Sequence, residues 1–294
     1  MRGSYAKSVF VCIMLFGIGA AWGVEKLDSP RDELPEAVTQ RIQAVQQDLA
    51  NTSEQPFWAG KFVEGDGLGT NITLYVSPKS GAAITNYGCL GLYGAHEGQL
   101  SVLQDGSLKF AFSRRPSDAL GEFGDPMLPV HWGERVYLLP RQRIYEFVLA
   151  ANRGFEQLPG MGGGRFLNNQ KAIQGLPELP EPYRAALRQK AVDAKVLRVT
   201  QTGKRVLGNE PMCQMRYEVT IDQGDPAGLK IGEMLAAVEP QDAYANLRLE
   251  SISGSEATGN ISILEDDCAH LQHVPSTAWR FSTFAIGEVR KSVE

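Results

Sequence analysis

Histidine and cysteine are scarce in this sequence, four of each among 294 residues, so the side chains that most often serve as general bases, nucleophiles and soft-metal ligands are few. No Gly-x-Ser-x-Gly elbow, His-Glu-x-x-His helix or Gly-x-x-x-x-Gly-Lys loop occurs, which removes the signalled forms of serine hydrolase, zinc protease and nucleotide-binding chemistry. Long apolar runs are absent beyond the amino terminus, so the chain does not read as a polytopic membrane protein. Positive charge is in deficit, 29 Lys and Arg against 34 Asp and Glu, and nothing favours a nucleic-acid backbone as partner.

What is present begins with an address. Arg2 and Lys7 precede an apolar run from Val9 to Ala21, and Ala21-Trp22-Gly23 places small residues where a signal peptidase needs them. The reading is an export leader over 1–23, cut after Gly23, and a periplasmic or extracellular protein that meets the membrane only during export. A retained anchor is the alternative, against which stands a run shorter than the roughly 20 residues of a membrane span. Cys12 sits inside the run behind bulky Val11, which argues against lipid attachment. Loss of the leader takes the basic count from 29 to 27 against 34 acidic residues. It also leaves Cys89, Cys213 and Cys268, an odd number that allows one internal disulfide. Cys213 and Cys268 lie in the same half and are the expected pair, with Cys89 a buried thiol in the apolar run Cys89-Leu90-Gly91-Leu92-Tyr93.

Periodicity then divides the chain. Over 24–56, Leu34, Val38, Ile42, Val45 and Leu49 make one apolar stripe on a helix from Pro35 to Asn51, which docks on the β domain or on a partner. A first antiparallel β domain is expected over 57–139. Ile72, Leu74 and Val76 alternate with polar residues in one strand, and Leu108, Phe110 and Phe112 do so after Asp105-Gly106, read as a two-residue hairpin turn. Glu134 to Leu139 reads as its last strand, closed by Pro140. Over 140–193 a helix carrying Ile144, Phe147, Val148 and Ala151 ends at Gly154 and passes into a Gly- and Pro-rich connection, with a short helix from Tyr183 to Lys190. The remainder, 194–294, alternates again in Met215, Tyr217, Val219 and Ile221, in Leu247 and Leu249, and in Ile261 and Ile263. The fold class that follows is mainly β with some helix: two small antiparallel barrels or sandwiches joined by a helical, Pro/Gly-rich connection.

Two resemblances attach to these residues. Gly65-Asp66-Gly67-Leu68-Gly69, Gly88-Cys89-Leu90-Gly91-Leu92-Tyr93 and Trp132-Gly133-Glu134-Arg135-Val136-Tyr137-Leu138 resemble blocks in a group of exported proteins of Gram-negative bacteria that carries no assigned activity; the resemblance implies an address. Val219 to Leu235 is similar to the strand-turn-strand signature of the periplasmic barrel in the MreC family of cell-shape scaffolds. Here Glu233 stands between Gly232 and Met234, a departure from that pattern. The likeness implies a small barrel and points toward envelope scaffolding.

Three constellations carry possible chemistry. Asp266, Cys268, His270 and His273 crowd into one stretch as zinc or copper ligands would, at a spacing that matches no standard signature; a disulfide-stapled surface loop explains the same residues. Cys89 and His96 suggest a thiol and its base, against the simpler reading of Cys89 as a small hydrophobe. Gly65 to Gly69 and Gly160 to Gly164 are glycine-rich, yet neither leads from a strand into a helix with a phosphate-binding lysine, and both read as turns. The expected function is therefore an exported, non-enzymatic interaction or scaffold module without cofactor, its partner an envelope protein. The alternatives are a carrier whose first β domain encloses a small apolar ligand against Ile72, Leu74, Leu108, Phe110 and Phe112, and a hydrolase using a carboxylate pair or Cys89.

Overall fold

A computed structural model describes residues 33–65, 70–89, 91–113, 125–154, 166–168, 173–207, 211–240 and 243–286. The expected export leader over 1–23, residues 66–69 and the glycine-rich stretch 160–164 lie outside them. Two closed antiparallel barrels account for most of the described chain, with few helices. No described helix is long and apolar enough to cross a membrane.

The first barrel takes its strands in chain order: β1 (Gly60–Glu64), β2 (Asn71–Ser77), β3 (Gly81–Gly88), β4 (Gly91–Val102), β5 (Leu108–Phe112), β6 (Met127–Trp132), β7 (Arg135–Pro140) and β8 (Phe166–Leu167). Closure comes from β8, where Leu167 lies opposite Val63 of β1. The barrel is thus not finished at position 139; its last strand follows the next helix. Alternation places Ile72, Leu74 and Val76 inside with Ala82, Ile84, Leu108, Phe110 and Leu138. The β4–β5 hairpin turns through three residues, not two. Gly106 N–H donates to Leu103 O and Leu103 N–H to Ser107 O, so Gly106, at φ +79°, supplies the left-handed residue of a bulged loop.

Helix α1 (Glu36–Asn51) lies outside this barrel, across β2, β3 and β4. Its stripe buries Val38 and Val45. Arg41 Nη1 donates to Ser80 O at 2.6 Å and Nη2 meets Glu97 at 3.4 Å, while Asp48 accepts from the Lys79 and Ser80 N–H groups. The stripe's partner is therefore the chain's own sheet.

Helix α2 (Ile144–Asn152) follows β7. The β6–β7 hairpin is covered on both faces: Met127, Val136 and Leu138 point into the barrel, and Leu128, Val130, Trp132, Tyr137 and Leu139 pack under Ile144, Phe147, Val148 and Ala151 of α2. A strand buried on both faces reads as an unbroken apolar run, as Val136-Tyr137-Leu138-Leu139 does. The helix expected from Tyr183 to Lys190 is only one 3-10 turn, Tyr183–Ala186. The chain leaves helical geometry at Leu187, and Arg188 N–H donates to the Asn152 side chain where another helical turn would have followed.

The second barrel comprises β9 (Asp193–Val206), β10 (Cys213–Ile221), β11 (Met234–Glu239), β12 (Asn246–Ser253), β13 (Glu256–Glu265) and β14 (Arg280–Ser282), in the order β10-β13-β12-β11-β14-β9. Its core is Met215, Tyr217, Val219 and Ile221 against Leu247, Leu249, Ile261 and Phe281. No strand is shared between the barrels.

Candidate functional site

Polar and strained features concentrate where the two barrels meet. Seven of the nine residues of α2 are buried, a pattern that belongs to a helix with neighbours all round. One face packs on β6 and β7; the other puts Leu149 and Ala150 against Met234 and Ala236 of β11 and against Phe284. Phe284 holds a left-handed backbone at φ +55°, a conformation that costs a non-glycine residue about 1–3 kcal/mol and persists where surrounding contacts over-determine it. The Arg153 guanidinium lies 4.7 Å above its ring.

Glu233, the residue that departs from the MreC pattern, sits at this joint. Its side chain is 4% exposed and is gripped by Arg188, 11% exposed, with Nη2 at 2.8 Å from Oε1 and 2.9 Å from Oε2 and Nε at 3.1 Å from Oε1. Lys230 N–H donates to Oε2 at 2.9 Å, and Arg188 also donates to the carbonyls of Ala227 and Gly228. Burial pushes the Glu233 carboxyl upward, and the Arg188 charge opposes that rise. Asn152, 2% exposed, ties α2 into the same network: it donates to Ala186 O and Thr283 O and accepts from Arg188 N–H. Tyr145 covers the loop from the α2 side. A Cβ on Gly232, at φ +84°, would stand 3.2 Å from its ring, so glycine serves there both for backbone conformation and for the close approach of Tyr145. Burial first, then the Glu233 carboxylate, pushes the Tyr145 phenol up to about 12. Sequence reasoning passed over Arg188 and Asn152; the one visible signal was a lone glutamate inside Ile231-Gly232-Glu233-Met234-Leu235. This arrangement joins elements. All three nitrogens of the guanidinium donate to protein oxygens.

The residues singled out from sequence fall elsewhere. Ile72, Leu74, Leu108, Phe110 and Phe112 do converge in the first barrel, where Leu74 and Leu108 are 0% exposed and the neighbouring Phe62, Val76, Ala82 and Ile84 are equally covered. Side chains fill the middle of that barrel. Asn86, 2% exposed and on the inward face with Ala82 and Ile84, keeps an amide oxygen without a hydrogen-bond partner.

The expected Cys213–Cys268 disulfide is not formed: Cys89, Cys213 and Cys268 are all free thiols. Cys213 lies in the second core, with Cys268 packed against that core. Cys268 is set in place by its own backbone, whose N–H donates to Pro211 O at 2.7 Å and whose carbonyl accepts from Lys204 Nζ at 2.9 Å. Burial pushes the Cys213 thiol up to about 11, and the neighbouring Cys268 side chain adds to the shift. Cys89 is exposed at the β3–β4 turn, a correction to its expected burial. His96 pairs with Ile84 five residues along the hairpin, so the two functional groups stand roughly 15 Å apart along the strand rise and make no thiol–base pair.

The proposed metal ligands do not converge either. No group of three His, Cys, Asp or Glu among the described residues could hold a metal. His270 Nδ1 is paired with Asp267 at 2.8 Å, an interaction that holds the Asp267 carboxyl below its usual range. Glu265, buried, accepts the backbone N–H groups of Gln272 and His273. The loop is organised by a carboxylate bonding to backbone. Compared with family models, curated proteins and solved structures, this chain matches none.

Proposed function

We propose that this chain is an exported, non-enzymatic protein of the cell envelope whose two barrels act together as one interaction or scaffold module. The observation that carries the reading is α2, buried between the barrels and fastened by Asn152, Arg188 and Glu233. A carrier needs an empty interior and a hydrolase needs a cleft with reactive groups; a module that presents surfaces at fixed spacing needs a joint of this kind. The carrier reading is disfavoured by the covered side chains at the middle of the first barrel. The amino-terminal sequence supports the address.

The full chain, tagged at its carboxyl terminus and expressed in a Gram-negative host, is expected in the osmotic-shock fraction with a mass that begins at Val24. A photo-crosslinker at Tyr244, 87% exposed, is expected to give one reproducible adduct with an envelope protein. An uncut chain in the cytoplasm, or a processed chain that yields no adduct from several exposed positions, would overturn the proposal.

A further inference from the structure

The second barrel is closed by very little. β14 pairs with β9 through Asp193, Ala194 and Lys195, and the seam is extended by Val196 N–H to Trp279 O at one end and by the Val192–Thr283 bonds at the other. From Leu197 to Val206 the strand keeps β10 on one side and has no strand neighbour among the described residues on the other. That is ten residues, roughly 33 Å of backbone with outward N–H and C=O groups available for pairing. The edge is open to solvent: Leu197 is 46% and Val206 57% exposed, and Arg198, Thr200, Gln201, Thr202, Lys204 and Arg205 are exposed as well.

Its charge is opposite to that of the chain as a whole. Leu197 to Val206 holds three cations and no carboxylate in a protein with 34 acidic against 29 basic residues. Arg198 donates to the Thr220 hydroxyl and Lys204 to a backbone carbonyl; neither these nor Arg205 is in an ion pair among the described residues. An unpaired edge, here with bulges at Leu197 and Thr202, can also take a second copy of the same strand. Here a second copy would bring three cations against three, which like-charge repulsion disfavours, whereas an extended acidic strand would meet complementary charge near both ends of the edge.

We infer that the free edge of β9 is a strand-addition site for an extended acidic segment of a partner protein. The incoming strand pairs its backbone along Leu197–Val206 and sets its carboxylates beside Arg198 and Arg205, which share one face opposite Thr220 and Gln214, while its apolar side chains lie on the other face with Val206. This gives the proposed interaction role its contact surface and rests on that role.

The probe is a capped, fluorescent decapeptide in which Val or Thr alternates with Glu, added to the full processed chain. Binding is expected to weaken by about ten-fold or more as salt rises from about 50 to about 300 mM, since the paired charges are exposed. The Arg198→Glu, Arg205→Glu double variant, with unchanged thermal unfolding, is expected to bind at least about ten-fold more weakly. Amide hydrogens of Leu197–Val206 should gain exchange protection when the peptide is bound, and a peptide N-methylated at alternate residues should not bind. The inference is overturned if a lysine-for-glutamate peptide binds as well, if N-methylation is without effect, if protection appears elsewhere, or if β9 is already protected in a dimer. Failure on these readouts by a protein that is still exported and crosslinked sinks the edge and leaves the envelope role standing.

Discussion

At the scale of single residues, the two perturbed groups that matter most are a thiol and a phenol. Cys213 is held protonated by burial, and only the thiolate attacks disulfides, so with a chromogenic disulfide reagent Cys89 should react promptly and Cys213 only after denaturation. Thiol counts in native buffer that already include Cys213 would contradict its place in the core. Tyr145 is raised from the ordinary phenol value to about 12, so the folded protein keeps a proton that the unfolded chain releases near pH 10. Stability from this source is complete below about pH 10 and is lost as pH rises toward about 12. Melting temperatures of the wild type should fall over that window, and Tyr145→Phe should flatten the fall; parallel curves would place the sensitivity elsewhere. The same scale shows why the metal and disulfide expectations failed. Spacing along a chain lists which donors are near in sequence, while Glu265 and Asp267 had already committed the loop to backbone and imidazole hydrogen bonds.

At the scale of elements, α1 is held to the first barrel by a narrow stripe and a few polar contacts. Val45→Lys should remove roughly 2 kcal/mol of burial and free the helix, so that amides of Glu36–Asn51 exchange quickly while those of β2 and β3 remain protected. Loss of protection in both together would mean the helix is part of the barrel's cooperative unit. Elements with one wet and one dry face were legible in advance: Ile72-Leu74-Val76, Leu108-Phe110-Phe112, Met215 to Ile221 and the α1 stripe all lie as their alternation implies. β9 gave no such signal, because beyond Val196 both of its faces are largely exposed and no period separates them. β8, two residues long, is defined only by the strands on either side of it.

At the scale of the whole molecule, the connection between the barrels is structure and not tether. Arg188→Met strands the buried Glu233 carboxylate and should cost about 3–5 kcal/mol, read as a fall in the denaturant midpoint. Adding Glu233→Met should restore most of the loss, because the desolvation cost disappears with the charge. If the double variant is no better than the single one, the pair contributes more than its own neutralisation. Composition and period by themselves determined that this chain is mainly β, that it closes into two sheets without a shared strand, and that a stripe of five apolar residues makes a helix. Those properties follow from local sterics and from the alternation of apolar side chains along each segment. Which barrel the 166–167 strand completes, that α2 is covered by both barrels, that Glu233 finds Arg188, and that β9 beyond Val196 has only β10 beside it among the described strands were decided only in three dimensions. Each depends on contacts between residues far apart in the chain, and a burial pattern read along one segment holds no record of what arrives to cover it.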